Sequence, residues 1–167
     1  MQDVVKKEPR SAVSSHCNPE LPGSRAFEPE DVVTVLAISS HADDRAFLQN
    51  IFNHTNWVLG WARSWREARS FLRRHRMPVV LVESQLPDAS WKDALAGLSR
   101  MAEQPRLIVS SRIADEFLWA EVLNLGGYDV LAKPFDASEV FRVISLAWLD
   151  WKNNCAPHRE LARAAGA

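Results

Sequence analysis

The chain has 167 residues, enough for one domain with a single core and some remaining tail. Hydrophobic residues make up 47% and charged residues 25%, the ordinary globular balance, which argues against a fibrous or wholly disordered chain. The formal net charge of -1 supplies no long-range attraction to nucleic acid or to an anionic membrane.

Residues 1–30 carry Pro9, Pro19, Pro22 and Pro29 among Ser, Glu and Lys without helical or strand periodicity, and read as a disordered N-terminal tail. From there, short apolar runs rich in β-branched residues alternate with longer stretches of helical period. The predicted strands are Val32–Ile38, Trp57–Trp61, Val79–Val82, Leu107–Val109 and Asp129–Ala132. The first, third and fourth are apolar nearly throughout, as strands are when helices cover both faces of their sheet. Asp43 and Asp44 fall in the first turn of the first helix, where the helix dipole favours carboxylates. Ser64 with Glu67, Ser90 with Asp93 and Asp136 with Glu139 have the spacing of helix-capping pairs. Gly126 and Gly127 stand where the fourth helix needs a left-handed residue to end. The 153–167 segment reads as a C-terminal tail, and the 31–152 segment as a single domain.

Five successive βα units of this kind imply an α/β fold: a flavodoxin-like, doubly wound, five-stranded parallel sheet of order 2-1-3-4-5. In such sheets chemistry collects at the carboxyl ends of the strands, beside the switch point between strands 1 and 3. No apolar run approaches the ~20 residues that span a bilayer. Cys17 and Cys155 lie in the two terminal segments without metal-type spacing, which fits a reduced, cytoplasmic chain.

The run Gly126-Gly127-Tyr128-Asp129-Val130-Leu131-Ala132-Lys133-Pro134-Phe135 resembles the glycine turn, fifth strand and Lys-Pro-Phe ending of receiver domains in bacterial two-component response regulators. Leu86-Pro87-Asp88 after strand 3, Arg45 in the first helix and Pro105 before strand 4 fall in the same register. The resemblance covers Val32 to Trp151. It implies a non-enzymatic signalling module with no catalytic residues of its own. The family's magnesium-binding acidic pair falls on Ser39 and Ser40, and its phosphoacceptor aspartate on Glu83. Its phosphoryl-binding hydroxyl falls on Ser110, its lysine on Lys133, its switch aromatic on Val130 and its loop glycine on Trp91. Ser110 and Lys133 therefore keep the family's residue types, and the other positions depart from them.

Those departures have a physical meaning. An intact site sets three carboxylates against one lysine, a local charge of about −2 that attracts a divalent cation. Here Glu83 alone is expected to face Lys133, a sum near zero, and neutral serines compete poorly with water for magnesium. The expected cofactor is none, with weak Mg2+ binding at most. Glu83 also carries its carboxylate one methylene, ~1.5 Å, farther out than an aspartate, and a misplacement of ~1 Å can cost ~100-fold in a positioned reaction. The resemblance then implies a degenerate, stand-alone pseudo-receiver, independent of phosphorylation and acting through protein contacts. One alternative is a weakly active phosphoacceptor receiver using Glu83. Another is a flavodoxin-like small-molecule-binding protein, which the absence of a glycine-rich loop after strand 1 disfavours. Glu83 itself either pairs with Lys133 or imitates a phosphorylated aspartate, and a single charge is a poor substitute for a phosphoryl group.

The remaining surface features are weighed in the same way. His41 and Asp88 are expected at the pocket rim, in solvent. Arg69, Arg73, Arg74, His75 and Arg76 form a basic run, read as a solvated helix face rather than a nucleic-acid patch. The helix from Val140 to Trp151 is apolar over far more than the ~100° stripe that a sheet demands. Trp148, Leu149 and Trp151 are therefore expected to be exposed anchors. They would form a protein-partner or homodimer surface on the helix 4–strand 5–helix 5 face, where the resemblance places receiver contacts. No membrane contact is expected.

Overall fold

The computed structural model describes residues 32–165, with side chains as far as Cys155. The expected N-terminal tail and Cys17 lie outside the described residues. Alternating strands and helices follow in order: β1 (Thr34–Ile38), α1 (Ala42–Asn53), β2 (Val58–Ala62), α2 (Trp65–Leu72), β3 (Val79–Glu83), α3 (Trp91–Leu98), β4 (Arg106–Ser111), α4 (Glu116–Leu125), β5 (Asp129–Ala132) and α5 (Ala137–Ala165). All pairings are parallel and the strand order is β2-β1-β3-β4-β5. This is the doubly wound sheet that the sequence pattern implies.

The strands are apolar on both sides because both sides are covered. Side chains alternate across a strand, so Leu36, Ile38, Val80, Val82, Leu107 and Val109 point one way, onto α2, α3 and Val122 of α4. Val35, Ala37, Val79, Leu81 and Ile108 point the other way, onto α1 and α5. β3 is buried at every position. Trp91, at the start of α3, belongs to the first of these cores.

The helix ends follow the capping chemistry in the sequence. Ser64 accepts the Glu67 N–H at 3.2 Å, Asp136 accepts the Glu139 N–H at 2.9 Å, and Ser90 with Asp93 closes a reciprocal capping box. Gly126 ends α4 with φ +98°, a left-handed backbone that an L side chain resists. α5 continues to Ala165, through the stretch that reads as tail in the sequence. No glycine lies between Gly127 and Gly166 to give it a left-handed stop.

Asp88 is exposed but has backbone partners. Rather than standing free at the pocket rim, it reaches back from the β3–α3 loop to α2. Its carboxylate accepts the Trp65 and Arg66 N–H groups, both at 2.9 Å. Burial raises its pKa, but the N–H groups of Arg66, Trp65 and Asp88 itself, with the Arg66 charge, outweigh that effect and hold the carboxyl below the usual aspartate range.

The wide apolar arc of α5 corrects one expectation. Trp151 is only 5% exposed, and the Arg76 guanidinium lies 4.6 Å from its ring centroid. Trp148 packs against the α1–α5 core under the Lys152 ammonium. Both indole Nε1 groups are buried without a partner among the described residues. The arc is wide because α5 covers the segment after α2 as well as the sheet. Of the three expected anchors only Leu149, 46% exposed, faces solvent.

Two outcomes follow from this packing. Trp151→Ala should destabilise the fold by about 3 kcal/mol, read by urea denaturation, since it empties a buried aromatic site. Asp88→Ala should cost about 1 kcal/mol near neutral pH. Because the folded carboxyl titrates below its unfolded value, the cap's contribution is present above the unfolded pKa and is lost as pH falls through the folded one. Denaturation of wild type and variant should therefore give a smaller difference at pH ~3 than at pH ~7.

Candidate functional site

The carboxyl ends of β1, β3, β4 and β5 meet beside the switch point of the sheet. Glu83 is the last residue of β3, in register with Ser110 of β4. Ser39 follows β1, its N–H bonded to the Ala62 carbonyl at 3.1 Å. Lys133 follows β5, its N–H bonded to the Ser111 carbonyl at 2.9 Å, and the Lys133–Pro134 peptide is cis. Each side chain is thus aimed by a strand end rather than by a free loop.

The Lys133 side chain is 4% exposed. Its Nζ lies 3.0 Å from Glu83 Oε1 and 2.5 Å from Asp44 Oδ2. Ser39 Oγ lies 3.1 Å from Glu83 Oε2 and 2.8 Å from Asp44 Oδ2, and it also accepts the His41 N–H at 3.1 Å. His41 Nε2 lies 3.0 Å from Glu83 Oε1. Glu83 and Lys133 are therefore brought together with Ser39. Ser110 is buried nearby, with its hydroxyl turned onto the Val82 carbonyl at 3.4 Å. Ser40 is exposed and outside this cluster. Val130 is buried in the core shared with α2 and α3.

Sequence reasoning missed Asp44. Dipole stabilisation of α1 accounts for Asp43, which stays in solvent. Asp44, one residue later, is turned through about 100° around the helix, and its side chain reaches the pocket. With Glu83 at −1, Asp44 at −1 and Lys133 at +1, the three groups sum to −1 rather than near zero. His41 likewise contacts Glu83 while leaving about half of its side chain in solvent. The signal available beforehand was the position of Asp44 in the first turn, next to the strand end that carries Ser39.

A divalent cation of the kind the family resemblance implies does not fit this donor set. Among the described residues no group of three His, Cys, Asp or Glu side chains converges on one point. Glu83 Oε1 and Asp44 Oδ2 are both turned to the lysine, and both carboxylates also receive the Ser39 hydroxyl. A buried ammonium held in this way is strongly coupled to its partners, since removing one leaves uncompensated charge. Among the described residues no helix is long and apolar enough to cross a membrane.

Comparison with known proteins bears on the family and the fold. Residues 35–145 match the family described as response regulator receiver domain. The chemotaxis protein CheY of Thermotoga maritima is 24% identical over 112 residues, covering 66% of this chain and 93% of that protein. The signal receiver domain of a putative LuxO repressor protein from Vibrio parahaemolyticus superposes with a TM-score of 0.69 at 18% identity, covering 75% of this chain and 96% of that one. The signal receiver domain of an HD domain-containing protein from Pseudomonas fluorescens Pf-5 gives 0.67 at 22% identity, covering 74% and 91%. A parallel sheet of order β2-β1-β3-β4-β5 with a lysine and an acidic residue facing each other at its carboxyl end, matched by the family over two thirds of its length, belongs to the response regulator receiver domains of two-component signalling.

Proposed function

We propose that this receiver domain is a degenerate one, which signals through protein contacts without being phosphorylated. The observation that carries this reading is the double engagement of Lys133 by Glu83 and Asp44. Phosphoryl transfer depends on positioning and on charge neutralisation, usually by a divalent metal. Here the lysine is already neutralised, and serines stand where the resemblance expects metal carboxylates. Glu83 then acts as the partner of Lys133 and keeps the pocket closed.

The binding surface is the α4–β5–α5 face, with anchors that differ from those expected. Trp151 is buried and Trp148 is half-buried against its own chain. On α4, Trp119 is 51% exposed beside β5, its indole N–H donating to Asp129 Oδ1 at 3.1 Å, and on α5 Leu146 and Leu149 are 47% and 46% exposed. Val122 is the buried residue of α4, whose composition is otherwise apolar around much of its circumference. A solvated helix has no need of such residues, and their exposure on this face supports a contact surface. A protein partner or a second copy of the chain is the reading this supports.

Two experiments test these statements. Incubation with a small phosphodonor and Mg2+ should leave the protein unlabelled, and titration should give millimolar affinity for Mg2+ or weaker. The combined variant Ser39→Asp, Ser40→Asp, Glu83→Asp should bind Mg2+ at least ~10-fold more tightly, because it restores a carboxylate cluster. Wild-type labelling at Glu83 would favour the weakly active phosphoacceptor instead. Separately, Trp119→Ala and Leu149→Ala should weaken self-association or partner binding by ~2 kcal/mol, measured by sedimentation or by titration of a captured partner, with the thermal midpoint unchanged. Phosphodonor should not alter that binding.

A further inference from the structure

α2 and α3 lie side by side over one face of the sheet, and a groove of about 510 Å3 runs between them. Trp65, the first residue of α2, lines it. Its ring lies directly on α3 at Gly97: a Cβ added there would come within 2.3 Å of Trp65 Cζ2. A glycine inside a helix costs about 1 kcal/mol relative to alanine, so this one marks a place where the ring must approach the backbone. The indole is held by that fit, half-buried, with part of its surface in the groove.

Three arginines surround it. Arg69 and Arg73 lie one turn apart on the α2 side, and Arg100 follows the end of α3. All three are exposed. Arg73 donates to Ser70 Oγ at 3.5 Å, and among the described residues none of the three has a carboxylate within ion-pair distance. Asp93 is the one carboxylate lining the groove. Its Oδ2 is committed to the Ser90 N–H at 2.8 Å and the Ser90 hydroxyl at 2.7 Å. Three guanidinium groups therefore line the groove beside an aromatic ring with a single carboxylate, Asp93, and among the described residues none of them is in an ion pair.

We propose that this groove binds a nucleoside phosphate, its base against Trp65 and its phosphates against Arg69, Arg73 and Arg100. Guanidinium forks match phosphate oxygens in bidentate geometry. An indole surface offers the stacking that a flat heterocycle uses. The volume lies within the range of small-ligand sites, ~300–1,000 Å3. The eight residues of α2 give a groove of about 12 Å, room for one nucleotide rather than for a strand. With a net charge of -1 the chain also lacks the broad positive field that a nucleic-acid polymer calls for. The groove shares no lining residue with the Glu83–Lys133 pocket and stands whether or not that pocket accepts a phosphoryl group.

Isothermal titration of the full chain with ATP, GTP, adenosine, inorganic phosphate and a short single-stranded RNA tests the assignment. ATP or GTP should bind with micromolar affinity that weakens as salt is raised. Adenosine and inorganic phosphate should each bind at least ~10-fold more weakly, because each supplies half of the contacts. Arg69→Ala, Arg73→Ala and Arg100→Ala should each lower nucleotide affinity by ~10-fold. Their thermal midpoints should match wild type, since these side chains are solvent-exposed. The proposal is overturned if neither nucleotide binds at millimolar concentration, or if the arginine variants bind as wild type does. It is equally overturned if the RNA binds more tightly than ATP through the same arginines, which would make the groove part of a polymer surface.

Discussion

A parallel sheet made of βα units has no face to give to water, because each crossover lays a helix over it. Everything else here follows from that constraint. Five strands of four to six residues supply two apolar faces, and five helices cover them. The strands all run the same way, so their carboxyl ends open at one rim, and polar side chains placed just past those ends are forced into a shared space. Ser39, Glu83 and Lys133 come from three different strands and meet there for that reason.

At that rim the dominant quantity is the charge on Lys133. An ammonium that is 4% exposed needs compensation, and Glu83 and Asp44 provide it in concert with the Ser39 hydroxyl. The result is a closed polar cluster instead of an open acidic cup. Fold and pocket are encoded separately: the sheet depends on apolar alternation, and the pocket, where three groups sum to −1, on a few residues at and beside strand ends.

Much of this was legible in the sequence because it rests on local rules. The apolar runs of β1, β3 and β4, the caps at Ser64, Ser90 and Asp136, and the left-handed Gly126 are each determined by neighbours in the chain. What was not legible depends on the direction of a side chain between elements. Asp43 and Asp44 look alike in the sequence, yet one turns to solvent and the other to Lys133, since adjacent helical residues diverge by about 100°. Asp88 looks like a loop residue, yet it closes the start of a helix more than twenty positions earlier. Trp148 and Trp151 look like surplus apolar area on α5, but the segment around Arg76 uses part of it. Periodicity gives the width of an apolar arc and leaves open what covers it.

The Asp88 cap joins two parts of the molecule that the chain keeps apart. The loop leaving β3 begins one residue after Glu83, and through Asp88 it holds the first two backbone N–H groups of α2. Two hydrogen bonds to one carboxylate therefore tie this loop to the start of the helix. The β3 rim is thereby joined to Trp65, the residue at which α2 meets both its cap and α3. The fold thus contains a tie between the rim of the sheet and the flank formed by α2 and α3, with a carboxylate as its joint.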